Sequence, residues 1–186
     1  MMPLRVVEDN RSRTMIDNAL QVSRPGFDDV STVESYSGML AEATTEVFAT
    51  MVMMKVETLG LRSARPDRLI DSVSAVLGIS GGLRGVLAVH CPEQVAREIC
   101  GGMLGETPVE VDAEVKDTIG EMVNMIAGGL KTRLLQQQCE IELAVPSVIA
   151  GSCYEVNLLS RAERLLLPFE TAAGTFLLEF KYAGKT

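Results

Sequence analysis

The sequence predicts an α+β fold, in which two long helices pack side by side on one face of a mainly antiparallel β-sheet. Residues 36–59 and 113–137 carry apolar side chains at three- and four-residue steps, the period of an amphipathic helix. Residues 72–91 instead alternate with period two on both sides of Gly81-Gly82, the pattern of a β-hairpin. Each helix has one apolar stripe to bury, so we expect both helices on the same sheet.

Composition predicts a single domain, with residues 1–30 as an N-terminal extension and residues 31–186 as the folded unit. The chain has 186 residues, of which 47% are hydrophobic and 23% charged, as in globular proteins. A formal charge of −8 argues against nucleic acid as a partner. No apolar run approaches the roughly 18 residues of a membrane span, and charged residues near the N-terminus replace the apolar centre of a signal peptide. Four cysteines without a CxxC pair favour reduced thiols and a cytoplasmic location.

The first half of the domain begins with the helix at residues 36–59. Its apolar face is formed by Tyr36, Leu40, Ala43, Val47, Met51 and Met54. After the hairpin, Pro92 and Glu93 open a short helix, because proline is tolerated where the amide has no partner. Gly101-Gly102 or Gly105 closes that helix.

The second half repeats this order, with a long helix followed by antiparallel strands. Asp112 is placed to cap the helix, whose buried stripe consists of Val115, Ile119, Met122, Val123, Ile126, Leu130 and Leu134. We predict a strand at residues 141–145 ending at Pro146, an irregular segment at 151–161, and two strands at 164–170 and 175–182. The repeated theme predicts an internal duplication with pseudo-twofold symmetry.

The side of the second helix opposite its apolar stripe has an unusual composition. It carries Asp117, Glu121, Asn124 and Gly128, with Gly120 and Lys131 on the flank. Glu121 and Asn124 are one turn apart and point the same way. Asn and Gly are poor helix formers at exposed positions, and the glycines leave a low surface on which another protein could lie close.

The pattern alone leaves other interpretations open. Gly128-Gly129 could end the helix, with Glu121 as an ordinary solvated acid. A metal or thiol enzyme is disfavoured, because His90 is the single histidine and no partner base or second ligand is visible near it in the sequence.

The run Asp117-Thr-Ile-Gly-Glu121-Met-Val-Asn124-Met-Ile-Ala-Gly128 resembles the signature helix of the CheC/CheX/FliY phosphatases of bacterial chemotaxis. That helix carries an E-x-x-N pair followed by an I-A-G step. The segments Leu143-Ala-Val-Pro146-Ser-Val-Ile149 and Gly174-Thr-Phe176-Leu-Leu-Glu179 also resemble the family. CheC-like members carry the motif on both long helices, whereas the first helix here supplies no asparagine three residues after Glu42 or Glu46. The resemblance is therefore to CheX.

The resemblance implies a phosphatase that hydrolyses the aspartyl phosphate of a CheY-like response regulator. Asn124 would position the attacking water, and Glu121 would pair with a lysine of the regulator. Asp117, Gly120, Gly128 and Lys131 would line the docking surface. No cofactor of its own is implied, because Mg²⁺ comes with the regulator. The same fold could instead be a non-catalytic module that binds a regulator or chemotaxis adaptor. CheX relatives also pair through β-strands, which implies a homodimer, and we expect the apolar strand at 175–182 to be the exposed edge.

Overall fold

The computed structural model describes residues 30–64, 68–159 and 162–183. In this part of the chain, three α-helices lie against one face of a seven-stranded sheet whose strand pairs are all antiparallel. The α+β prediction is confirmed. The predicted extension, residues 1–30, lies outside the described residues except for Val30, which begins the first helix.

Helix α1 spans Val30–Val47 and continues as a π-helical segment, Phe48–Val52. Met53 then adopts a left-handed conformation with φ of 58°, which ends the helical run. The short strand β1, Glu57–Thr58, follows. The predicted helix at residues 36–59 therefore begins earlier than expected and ends before residue 57.

Strands β2, Leu69–Gly81, and β3, Arg84–Pro92, form the predicted hairpin. Gly81 has φ of 95°, and a Cβ there would lie 2.9 Å from the carbonyl oxygen of Glu140, so only glycine fits the turn. Helix α2, Glu93–Leu104, follows directly and ends at Gly105 with φ of 90°. The short helix and the second of its predicted ends are confirmed.

Helix α3 spans Ala113–Gln136, and Asp112 caps it as predicted by accepting a hydrogen bond from the Val115 amide at 3.0 Å. The remaining strands are β4, Ile141–Leu143; β5, Ser147–Tyr154; β6, Glu163–Thr171; and β7, Gly174–Ala183. The hairpin of β6 and β7 matches the prediction. The irregular segment predicted for 151–161 is wrong over 151–154, which belong to β5.

The sheet confirms the predicted internal duplication. Its strand order is β1-β6-β7-β3-β2, and β4 and β5 follow each other along the outer edge of β2. The order reads the same from the opposite edge when each strand is replaced by its counterpart in the other half: β1 by β5, β2 by β6, and β3 by β7. The pseudo-twofold axis therefore lies between the central strands β3 and β7.

This order corrects one expectation about the sheet edge. The strand predicted at 175–182 is β7, which pairs with β6 on one side and β3 on the other. One face of this strand, Phe176, Leu178, Phe180 and Tyr182, packs in the core, whereas the opposite face carries Leu177, Glu179 and Lys181.

The core lies between the helices and the sheet, where alternate side chains of β2, β3, β6 and β7 meet the buried faces of all three helices. Helices α1 and α3 pack on each other, as the sequence predicts. None of the described helices is long and apolar enough to cross a membrane.

Candidate active site

Helix α3 presents Glu121 and Asn124 on the side turned away from the core. Glu121 is exposed and Asn124 is partly exposed. The opposite side of the helix is buried and consists of Val115, Thr118, Ile119, Gly120, Met122, Val123, Ile126, Ala127, Leu130 and Leu134. Core packing thus fixes the rotation of the helix, and this rotation directs both polar side chains outward.

The side chains of Glu121 and Asn124 have no hydrogen-bond or ion-pair partner among the residues that the structure describes. An exposed carboxylate and carboxamide one turn apart offer an acceptor pair and an amide donor to a second molecule. The hydrogen-bonding atoms of both side chains are therefore available to a partner.

Three of the four residues predicted to line the docking surface lie at the surface of α3. Asp117 and Lys131 are exposed, and a Cβ added to Gly128 would meet no atom within 4 Å. Gly120 differs, because it is buried and a Cβ there would lie 3.2 Å from Val148 Cγ2. The expectation that Gly120 lies on the exposed surface is wrong, because its missing side chain lets strand β5 approach the helix.

Gly128 and Gly129 do not end the helix, which continues to Gln136. A Cβ at Gly129 would lie only 2.8 Å from Ala43 Cβ on α1. Gly129 therefore allows the two long helices to approach closely, whereas Gly128 faces open space. The interpretation that this glycine pair closes the helix is wrong.

The acids on α1 that correspond in type to Glu121 serve another purpose. Glu42 and Glu46 both bind Arg133 of α3, at 3.2 Å from Nε and 3.1 Å from Nη2. Partial burial lowers the pKa of the Arg133 guanidinium, but the interactions with Glu46 and Glu42 outweigh it and raise the pKa above its ordinary value. The bridge ties α1 to α3.

A buried polar network lies on the sheet face away from the helices. Ser74 Oγ is 2.7 Å from His90 Nδ1 and 2.8 Å from the Tyr154 hydroxyl, while His90 Nε2 is 3.2 Å from Glu179 Oε2. These distances fit a His90 tautomer in which Nε2–H donates a hydrogen bond to Glu179 and Nδ1 accepts a hydrogen bond from the Ser74 hydroxyl. Burial raises the pKa of Tyr154 despite the hydrogen bond with Ser74, so its hydroxyl remains a donor near neutral pH.

The partners of His90 were missed by the sequence analysis because they come from other strands, at sequence separations of 16 and 89 residues. Ser74 is completely buried and His90 is 3% exposed, so no substrate reaches the serine in this conformation. This burial and these partners fit a structural role for His90. In the described ranges, no group of three His, Cys, Asp or Glu side chains could hold a metal ion.

Known proteins share the sequence around the exposed pair on α3 and the fold that carries it. A family model described as "Chemotaxis phosphatase CheX" matches residues 73–170, which is more than half of the chain. The chain belongs to the CheX family. The match includes all of α3 and therefore both Glu121 and Asn124.

Individual CheX relatives agree with this assignment. The "CheY-P phosphatase CheX" of Thermotoga maritima is 30% identical over 81 residues, which are 43% of this chain and 52% of that protein. The chain thus spans about half the length of this curated relative. The crystal structure of CheX from Desulfovibrio desulfuricans is 28% identical, with a TM-score of 0.73 over 80% of this chain and 99% of the other.

A further neighbour is a complex. The Borrelia burgdorferi structure named "CheX-CheY-BeF3-Mg+2 complex" contains a chain with a TM-score of 0.64 and 20% identity, over 80% of this chain and 98% of that one. At 20% identity this similarity shows a shared fold and nothing more. The described residues therefore have the fold of the chain in that complex.

Proposed function

We propose that this chain hydrolyses the aspartyl phosphate of a CheY-like response regulator. The observation that carries the proposal is the pair Glu121 and Asn124, exposed one turn apart on α3 with no partner in the described part of the chain. Membership of the CheX family and the Thermotoga relative's name as a CheY-P phosphatase support it. The Borrelia complex of CheX with CheY supports a regulator as the partner.

Hydrolysis of an acyl phosphate needs little covalent help from the enzyme. The water oxygen bonds to phosphorus, the bond from phosphorus to the aspartyl oxygen breaks, and the products are inorganic phosphate and the free carboxylate. Because the transition state is loose, the main requirement is to place the water in line with the breaking bond. A carboxamide meets it, since the Asn124 carbonyl oxygen accepts from the water while its NH₂ donates to a phosphoryl oxygen.

Glu121 has the anchoring role in this proposal. Its carboxylate would form a charge-assisted hydrogen bond with a lysine beside the regulator's phosphoryl group. Since Asn124 follows after one helical turn, this contact fixes where the carboxamide lies relative to phosphorus.

We propose that Mg²⁺ is supplied by the regulator, as the name of the Borrelia complex supports. In the regulator's acidic pocket it would neutralise charge on the phosphoryl oxygens. The residues of this chain then contribute only the water-positioning amide and the anchor.

We also propose a homodimer that pairs through β5. The outer edge of this strand has no partner strand among the residues described, and Ser147–Tyr154 contains neither proline nor a charged residue that would shield it. Two copies would then join their sheets edge to edge about a twofold axis.

The enzymatic proposal is tested by adding catalytic amounts of the chain to a panel of receiver domains phosphorylated with a small phosphodonor in the presence of Mg²⁺. Phosphate release should exceed the spontaneous rate for at least one regulator. If the chain binds a phosphorylated regulator and accelerates release from none, the non-catalytic binding module replaces the phosphatase.

A further inference from the structure

A bulge in the sheet edge lies next to α3 at Gly120, one helical turn before Asn124. Leu143 pairs with Ile79 and Ser147 pairs with Val76, so three residues of the edge, Ala144–Pro146, face two residues of β2. Ala144 still donates its amide hydrogen to the Gly78 carbonyl at 2.9 Å, and Pro146 has no amide hydrogen to donate. The bulge therefore sets two residues, Val145 and Pro146, opposite Leu77 of β2.

Contacts with α3 position this bulge. A Cβ on Gly120 would lie 3.2 Å from Val148 Cγ2 and 4.0 Å from Pro146 Cβ, so the residues after Val145 rest on the helix at Gly120. Gly120 is buried at the flank of α3, one turn before Asn124. A partner bound at Asn124 would therefore also cover the bulge in the sheet edge.

Val145 itself contributes nothing to the core, because it is 89% exposed. Ala144 beside it is also exposed, which makes the tip of the bulge apolar and open to solvent. A valine in this environment gives no folding energy, but it can bury its surface against a second protein.

The charge of the chain does not favour docking of an acidic partner. The chain carries a formal charge of −8, and the exposed face of α3 includes Asp117 and Glu121 against Lys131. A receiver domain presents an acidic phosphoryl pocket, so long-range attraction does not favour the encounter. Interfaces of this kind gain their affinity from a few buried apolar or aromatic anchors.

We infer that Ala144 and Val145 form a second docking contact for the receiver domain, against an uncharged apolar patch beside its phosphoryl pocket. This inference rests on the proposed phosphatase function and adds to it the surface that supplies affinity. Asn124 acts in the chemical step, Glu121 sets the register, and the bulge holds the two proteins together.

The test compares Val145→Asp with Val109→Asp. Val109 is 91% exposed in the loop before α3, so it is a control of equal size, equal exposure and equal change in charge. With a phosphorylated regulator, Val145→Asp should raise KM about tenfold and leave kcat within about twofold, since one buried anchor contributes roughly 1–2 kcal/mol. Val109→Asp should leave both constants unchanged. Val145→Leu, which keeps an apolar side chain at this position, should have the wild-type KM.

An unchanged KM for Val145→Asp would overturn the docking contact, and so would an equal rise for both aspartate variants, which would reflect net charge alone. In either case wild-type hydrolysis would still support the phosphatase function. Absence of wild-type hydrolysis on every regulator would overturn both. Thermal unfolding of each variant confirms that the comparison is made on folded protein.

Discussion

Glu121 and Asn124 lie one turn apart, but their side chains can do different work. A carboxylate is acceptor only and carries a charge, so its best contribution is a bond to a cation. A carboxamide is neutral and both donates and accepts, so it can hold a water and a phosphoryl oxygen at once. Substitutions at the two positions should therefore affect different kinetic constants.

For Glu121→Gln we expect weaker docking with little change in the chemical step. The amide keeps the shape of the side chain but loses the charge-assisted bond to a regulator lysine, which should raise KM about tenfold. Steady-state kinetics over a range of regulator concentrations measure this, and activity should recover when the regulator is in excess. Glu110→Gln, at an exposed acid in the loop before α3, is the control. A fall in kcat with unchanged KM would contradict the anchoring role.

At the scale of secondary-structure elements, the crossing of α1 and α3 determines how the site is presented. Gly129 lets the helices approach at Ala43, and Arg133 joins α3 to Glu42 and Glu46. These contacts lie on the flank of the helix, and the next residue towards the N-terminus, Gly128, faces open space. Two adjacent glycines thus serve different functions.

The two glycines predict opposite effects of alanine on stability. In Gly129→Ala the new Cβ would lie 2.8 Å from Ala43 Cβ, and such overpacking costs about 1–3 kcal/mol, more than the helix propensity gained. Gly128→Ala meets nothing and should stabilise the fold by up to about 1 kcal/mol. Urea unfolding of both variants measures the difference. If Gly129→Ala is as stable as Gly128→Ala, the close helix crossing is incorrect.

Gly128→Ala also has a functional consequence. The added methyl group projects into the low surface beside Asn124, so we expect the more stable variant to hydrolyse the regulator more slowly. Stability and phosphate release measured on the same sample separate the two effects. Faster or unchanged hydrolysis would place Gly128 outside the docking surface.

Local sequence patterns predicted the elements whose apolar period is strong. The α3 stripe, the Asp112 cap and the Gly81-Gly82 hairpin all depend on neighbours in sequence. Strand β5 was missed, in part because Gly151 and Ser152 carry no strand preference, and its pairing with β2 alone makes it a strand. The roles of Gly120 and Gly129 depend on Val148 and Ala43, which no local pattern places beside them.

The same limit applies to the sites. The helical period indicated which side of α3 carries Glu121 and Asn124, because core packing fixes that side. The partners of His90 could not be predicted, since Ser74 and Glu179 reach it only through the order of strands in the sheet. The family resemblance, and not periodicity, assigned a role to the exposed pair.

At the scale of the whole molecule, the sheet separates two environments. Helices and the candidate active site occupy one face, and the Ser74, His90 and Glu179 network is buried on the other. The pseudo-twofold axis places β7 and β3 at the centre, which leaves β5 on an outer edge. Association of two chains should therefore involve β5 and leave β7 unchanged.

For the proposed dimer, sedimentation at micromolar concentration should give twice the 20.1 kDa mass of one chain. Ile149→Lys places a charge within β5 at a residue that is 44% exposed, and lysine on an edge strand discourages pairing, so this variant should sediment as a monomer. Val109→Lys is the control in a loop. A wild-type protein of 20.1 kDa would show that β5 does not pair between chains.

The measurement that tests the central claim most directly is phosphate release from a phosphorylated CheY-like regulator by wild-type protein and by Asn124→Ala. We expect the variant to lose hydrolysis by at least about a hundredfold in kcat, as when a positioned polar group is removed from a transition state. Because Asn124 is partly exposed and alanine favours helix, its thermal stability should equal or exceed that of the wild type. Unchanged hydrolysis by a folded Asn124→Ala variant would contradict the account.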